Sequence, residues 1–148
     1  MTQTEKGERF RELHERNRAF IIPNPWDAGS ARLLAHLGFE ALATTSAGYA
    51  FSVGRRDGRI GRDETIAHAT AIVLATDLPV SADLENGFAD TMQGVAETFE
   101  RATKAGLVGG SIEDTSDHAD GSVYELGLAV DRVRAAAEVV HNFPFVSR

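Results

Sequence analysis

The sequence predicts an α/β fold with a mostly parallel sheet, and three observations lead there. Short apolar runs alternate with longer helical patterns along the chain. The alternation completes four βα units and opens a fifth strand. Each strand-like run also ends in acids or hydroxyls, the groups that parallel sheets gather beyond the carboxyl ends of their strands.

The first helix is expected from about Glu5 to Arg18, with Phe10, Leu13 and Asn17 on its inner side. A strand follows over Phe20 to Ile22 and stops at Pro23. "NPWDAGSARLLAHLG" reads as a turn and a helix with Ala28, Ala31, Leu34 and Leu37 inward, and Gly38 ends it. The second strand covers Ala41 to Thr44 and leads into a glycine-containing loop that runs to Gly61. A helix opens at Arg62 or Asp63 and continues to Ala75, burying Ile66, Ala69, Ile72 and Val73. The third strand is Val80 to Ala82, and the polar "DLENGFAD" loop precedes a helix from Met92 to Ala105 that buries Val95, Phe99 and Ala102. The fourth strand spans Leu107 to Ile112. A final helix over Leu126 to Val140 is expected to bury Leu126, Val130, Val133 and Ala137, ahead of a short fifth run, Phe145 to Ser147.

A chain of 148 residues is long enough to bury roughly two thirds of its unfolded surface in one core. A doubly wound sheet fits this length, whereas a complete (β/α)8 barrel needs about 250 residues; composition does not choose between them. With 22 acidic residues against 15 Lys and Arg, the net charge is −7, which argues against a nucleic-acid partner. No basic stripe offsets this, since Arg55, Arg56, Arg59 and Arg62 only flank a loop. The absence of Cys removes disulfides, thiolate nucleophiles and Cys-bound zinc. No signal-peptide core and no long apolar run are present, so no membrane partner and a cytoplasmic location are expected.

Polar residues at the strand exits carry the functional signal. Trp26 and Asp27 follow the first strand, and Thr44, Thr45, Ser46, Gly48 and Asp57 follow the second. Asp83 and Glu85 follow the third, Glu113 and Asp114 the fourth. Three carboxylates gathered in a partly dry cleft, Asp83, Glu85 and Glu113, are costly without a cation. Hard oxygen ligands of this kind suit Mg2+, with Mn2+ as the alternative, and leave coordination positions for water and substrate. The competing reading makes them caps of the following helices, as Asp27 would be at its own helix. Ser46 and Gly48 offer a hydroxyl and backbone N–H groups to a substrate oxyanion, while Trp26 reads as packing or stacking. The histidines (His14, His36, His68, His118 and His141) show no ligand spacing, and only His118 falls on a rim loop.

Three ordered blocks, "PNPWDAGSARLLAHLGFEALATTSAGYAFSVGRRDG", "PVSADLENGFAD" and "GGSIEDT", resemble the phosphoenolpyruvate mutase/isocitrate lyase superfamily, particularly its small bacterial members, including the carboxyvinyl-carboxyphosphonate phosphorylmutase-like and oxaloacetate hydrolase-like branch. The resemblance runs from about Phe20 to Val140. It implies a modified (β/α)8 TIM barrel, of which residues 1–148 would be the N-terminal part, a truncated half-barrel of four βα units and the start of strand five. It further implies an enzyme dependent on Mg2+ that acts on a small 2-oxo acid or related carboxylate through an enolate-like species, as a C–C bond lyase or hydrolase. Phosphonate P–C bond chemistry is the first alternative and a non-catalytic half-barrel or assembly partner the second. A homo-oligomer, dimer or tetramer, is implied for the complete protein.

By the same resemblance, Asp83 matches the principal metal-site acid, Glu85 the second acid of an Asp-x-Asp pattern, and Glu113 the acid ending strand four. Asp57 matches the acid of a mobile loop with a catalytic or loop-ordering role. Ser46, Ala47 and Gly48 fall on the segment that holds substrate oxygens, Ser46 with a catalytic role as well, and Trp26 and Thr44 are expected to bind substrate with them; Ala47 replaces a common Gly. The lyase branch carries "KRCGH" where this chain has "SDHADGSVYELG", so cleavage of isocitrate or methylisocitrate is not expected. A substrate-binding Arg follows strand five in the family; Arg148 stands at shorter spacing and is left unassigned.

Overall fold

The structure, a computed structural model, describes residues 1–116, 122–141, 143 and 145–147. The elements in chain order are α1 (Gln3–Glu15), α2 (Ala28–His36), β1 (Leu42–Ala43), α3 (Ser46–Ser52), α4 (Arg62–Ala75), β2 (Val80–Asp83), α5 (Met92–Lys104), β3 (Gly109–Ser111), α6 (Leu126–Val140) and β4 (Val146–Ser147). His118 and Arg148 lie outside the described residues.

All neighbouring strands are parallel and their spatial order is β1-β2-β3-β4, the order of the sequence. A doubly wound sheet reverses its strand order at a switch point, and this one does not. Right-handed crossovers taken always in one direction send their helices to one face of the sheet, the winding of a barrel wall. The sheet is open, with β1 and β4 at its edges.

The two faces bury different side chains because side chains alternate along a strand. Val80 and Ala82 of β2 are each 1% exposed and join Leu42, Ala69, Ile72, Val95, Phe99 and Ala102 in the main core. Ser81 and Asp83 face the other way and are only half-buried. On that second face α1 sets Phe10 and Leu13 against Ala41 and Val108, with Phe20 and Ile22 beside them. Gly109 is required there: a Cβ would sit 2.7 Å from the Phe10 ring and 2.8 Å from Ser81 Oγ.

Local chemistry sets the helix starts. Thr2 caps α1 in a reciprocal box with Glu5, Asp27 caps α2 in one with Ser30, and Thr45 and Thr91 cap α3 and α5. Asp27 is thus the N-cap that the sequence suggested, and its hydrogen bonds with Ser30 hold its carboxyl below the usual range. The helices over 62–75 and 92–104 bury the faces their periodicity indicates.

Five expectations need correction. Phe20–Ile22 is not a strand: Pro23 and Pro25 lack N–H donors, and this stretch reaches the sheet by one backbone bond, Ala43 N–H to Pro23 O at 3.2 Å. The segment after β1 is not all loop, since the seven residues of α3 lie in it; so short a helix leaves no periodic signal. On α2, Leu37 is the C-cap and is exposed, and Asn17 is likewise exposed beyond the end of α1. On α6 the buried positions are Arg132, Ala136 and Val140, whereas Leu126, Val130 and Val133 are 76%, 46% and 50% exposed. The helix turns its small and cationic side toward α5, and periodicity alone cannot tell which of two apolar stripes meets a partner. Among the described residues, no helix is long and apolar enough to cross a membrane.

Candidate active site

The carboxyl ends of β1, β2 and β3 meet at one rim, and parallel register sets their exits level: Ala43 pairs with Ser81, and Asp83 with Ser111. Asp83, the last residue of β2, is fixed from three sides. Its backbone N–H donates to Thr44 Oγ1 at 3.0 Å, its Oδ2 accepts from the Ser46 amide at 3.0 Å, and its Oδ1 accepts from the Glu85 amide at 3.1 Å. A side chain oriented by backbone N–H groups loses little freedom when it binds something else.

A cavity of about 260 Å³ opens beside this point, lined by Ser46, Asp57, Gly58, Glu85, Asn86, Glu113 and Thr115. Four of the sequence-predicted residues, Ser46, Asp57, Glu85 and Glu113, therefore come together from the exits of three strands, and Asp83 is bonded to two of the lining residues. No Lys or Arg is among the described lining residues. The Glu113 amide donates to Glu85 O at 2.8 Å, tying the β2 and β3 exits to each other.

Glu113 registers the accumulated charge. The residue as a whole is exposed, yet the part facing the cavity is partly desolvated, and that burial is the first cause of a carboxyl pKa raised above the usual range. The negative charges of Asp83, Asp57 and Asp114 push it the same way. Asp114 is not among the lining of this cavity and borders a neighbouring cleft of about 490 Å³ between the β3 exit and α6, which Glu113 also lines.

Other predicted residues stand behind the cavity. Thr44 is buried and spends its hydroxyl on the Asp83 backbone. The Ser46 amide is taken by Asp83 and the Gly48 amide by Thr45 Oγ1 at 3.3 Å, so the hydroxyl of Ser46 is the group this pair offers the cavity. Ala47 is half-buried in the first turn of α3 and is not a lining residue. Trp26 packs on Gly48, where a Cβ would sit 2.5 Å from the indole Nε1; it too is outside the lining. Behind α3, the Tyr49 and His68 rings stack at 3.8 Å, and His68 Nε2 donates to Trp26 O at 3.0 Å.

Sequence reasoning did not single out Asn86, Thr115, Tyr124 or Arg132. Asn86 is 3% exposed and Arg132 1%. The Asn-Gly step in "DLENGFAD" was the available signal for a built turn at Asn86; an Arg inside an amphipathic helix gives none.

Among the described residues, no three His, Asp or Glu side chains converge into a ready cage for a metal ion. The donor set nonetheless fits a hard, hydrated divalent ion. Mg2+ is held by one or two carboxylates with water completing the shell, and the mutual repulsion felt by Glu113 is the condition a cation relieves.

The profile of the phosphoenolpyruvate phosphomutase family matches residues 10–146. The chain belongs to this family.

A provisionally described lyase/mutase from Burkholderia cenocepacia J2315 is 56% identical and superposes with a TM-score of 0.94, over 97% of this chain and 52% of that one. The 2,3-dimethylmalate lyase of Eubacterium barkeri is 34% identical over 108 residues, 72% of this chain and 37% of the lyase. A structure of oxaloacetate acetylhydrolase in complex with the product oxalate is 26% identical with a TM-score of 0.88, over 96% of this chain and 52% of that one. The chain thus spans about half the length or less of these relatives. The superposition on these structures takes in the open, sequentially ordered parallel sheet.

Proposed function

We propose that the β1–β3 rim is the metal-assisted half of a site for lyase chemistry on a small 2-oxo acid or related carboxylate, with Mg2+ held by Asp83, Glu85 and Glu113 directly or through water. The observation that carries this reading is the gathering of Asp57, Glu85 and Glu113 around one cavity beside an Asp83 already oriented by two backbone amides. When bound, the cation supplies positive charge for the oxygen on which negative charge grows as a C–C bond breaks.

The remaining steps belong to the chain's own residues. Asp83 is held so that its free lone pairs stay aimed while both oxygens accept from the backbone. The Ser46 hydroxyl donates to a substrate oxygen at the cavity wall. Asp57, on the exposed segment after α3, orders the cavity mouth and stands where it can pass a proton to or from the substrate carbon. Glu113, with its raised carboxyl pKa, is the acid most easily discharged when no cation is present. The whole protein of this family would complete the pocket, act in the cytoplasm and assemble as a homo-oligomer.

Relatives that include a 2,3-dimethylmalate lyase and an oxaloacetate acetylhydrolase support C–C chemistry. P–C bond chemistry on a phosphonate is the second reading, favoured by the family's own description as a phosphomutase. The two separate in a turnover screen with Mg2+, in which dicarboxylic 2-oxo acids and substituted malates are set against phosphonopyruvate. Consumption of the carboxylates alone is expected, and consumption of phosphonopyruvate alone would replace the first reading with the second.

A further inference from the structure

The segment between β2 and α5 adopts a conformation that an ordinary chain avoids. Glu85 has φ 47°, Gly87 φ 77° and Phe88 φ 54°, so three residues of four lie in the left-handed region, two of them not glycine. Such backbone persists only when its surroundings over-determine it.

Following five carbonyls of this segment to their donors shows what does so. Leu84 O accepts from the Gly87 amide at 2.7 Å and Glu85 O from the Glu113 amide at 2.8 Å. Gly87 O accepts from Thr98 Oγ1 at 2.7 Å. Asn86 O and Ala89 O both accept from one guanidinium, that of Arg132 on α6. The Phe88 amide closes on Asn86 Oδ1 at 2.9 Å, and Asn86 Nδ2 donates to Tyr124 Oη at 3.2 Å.

Arg132 is 1% exposed. None of the ion pairs among the described residues includes it; its guanidinium carbon lies 3.9 Å from the centre of the Tyr124 ring, whose hydroxyl donates to Asp90 Oδ1 at 2.6 Å. A buried guanidinium contributes less to stability than an apolar side chain of the same volume often does. What a planar fork offers instead is two donors in fixed geometry, here spanning two carbonyls three residues apart.

We propose that Arg132 is a positioning residue: through the carbonyls of Asn86 and Ala89 it holds the 84–90 segment in its left-handed path and so presents Glu85 to the acidic cavity. That Glu85 serves a cation there rests on the function proposed above; the hold on the segment does not. The burial of Asn86 and of the Tyr124 ring over the same guanidinium makes the clamp one unit, joining α6 to the exit of β2.

The test combines hydrogen exchange with Mn2+ binding in Arg132→Lys and Arg132→Met. Exchange at the Gly87, Phe88 and Glu113 amides is expected to speed up roughly tenfold or more in Arg132→Met, as loss of two charge-assisted bonds requires, and less in Arg132→Lys, while the α4 amides keep their protection. Arg132→Lys keeps the charge and decides the matter if the Met variant does not fold. Mn2+ affinity is expected to fall by roughly 10- to 100-fold with the loosened segment. Unchanged exchange at those three amides, or a uniform rise across α4, α5 and α6, would overturn the proposal. Undiminished Mn2+ affinity beside a loosened segment would overturn its link to the cavity. If the unaltered chain binds no Mn2+ at all, the functional reading fails, and the exchange result still decides whether Arg132 holds the segment.

Discussion

Replacing Gly48 by Ala tests whether Trp26 and α3 form one packed unit behind the cavity. Gly48 is buried in the first turn of α3 and does not use a left-handed backbone, so Ala is acceptable to the main chain. Its new methyl would lie 2.5 Å from Trp26 Nε1, 2.6 Å from Trp26 Cδ1 and 2.6 Å from Thr45 Cγ2. Overpacking of this kind costs about 1–3 kcal/mol, and exchange of Gly for Ala inside a helix returns up to about 1 kcal/mol. The net expected loss is about 1–2 kcal/mol, limited because Trp26 is 49% exposed and can swing outward. In a Trp26→Ala background two of the three close contacts are gone and only that with Thr45 Cγ2 remains, so the same substitution is expected to cost about 1 kcal/mol less than in the unaltered chain. Urea denaturation followed by far-ultraviolet circular dichroism gives the four stabilities of the cycle. The single Trp of the chain also reports directly, by a red-shifted emission in Gly48→Ala alone. Equal effects of Gly48→Ala in both backgrounds would refute the packing argument.

Glu113→Gln is expected to raise the melting temperature at neutral pH without added metal and to weaken divalent-cation binding, opposite signs that mark a charge kept for function. The raised carboxyl pKa means that the folded state binds the proton more tightly than the unfolded state, so Glu113 lowers stability as pH rises from the ordinary carboxylate value through its raised one; a parallel loss of stability and of binding in Glu113→Gln would count against the acidic cavity. His68 works the other way: burial depresses its pKa below 6.5, so the stabilising neutral form is fully present above that pH and its contribution is lost as pH falls from 6.5 through the lowered value. His68→Phe preserves the stack on Tyr49 and should flatten the stability-versus-pH curve in that window, and an unchanged slope would show that another group carries it. Phe99→Ala removes a fully buried ring from the main core and should cost about 3–5 kcal/mol in urea denaturation; a cost below 1 kcal/mol would mean that the core collapses around the gap.

The sequence made the alternation of strands and helices legible because strong periodicity and caps coincide, as over Arg62–Ala75 and Met92–Lys104. It also placed Ser46, Asp57, Glu85 and Glu113 on one rim, since parallel strands deliver their carboxyl ends together. What escaped it depended on tertiary partners. The stretch around Phe20 is apolar enough for a strand, but its prolines leave no ladder. The two apolar stripes of α6 look alike in sequence, and only packing on α5 turns Arg132 inward. The hold on Glu85 comes from a residue 47 positions later whose contacts are to main-chain carbonyls, which no motif records.

The most direct test of the acidic cavity is calorimetric titration of Mg2+ into the protein in the presence of oxalate, a stable likeness of an enolate's two oxygens, alongside Asp83→Asn. That variant keeps the shape of the side chain and an acceptor for the Ser46 or Glu85 amide. Saturable binding in the unaltered chain and its loss in a folded Asp83→Asn variant is the predicted result. A folded chain that takes up no Mg2+ with oxalate, or an Asp83→Asn variant that binds as well as the original, would contradict it.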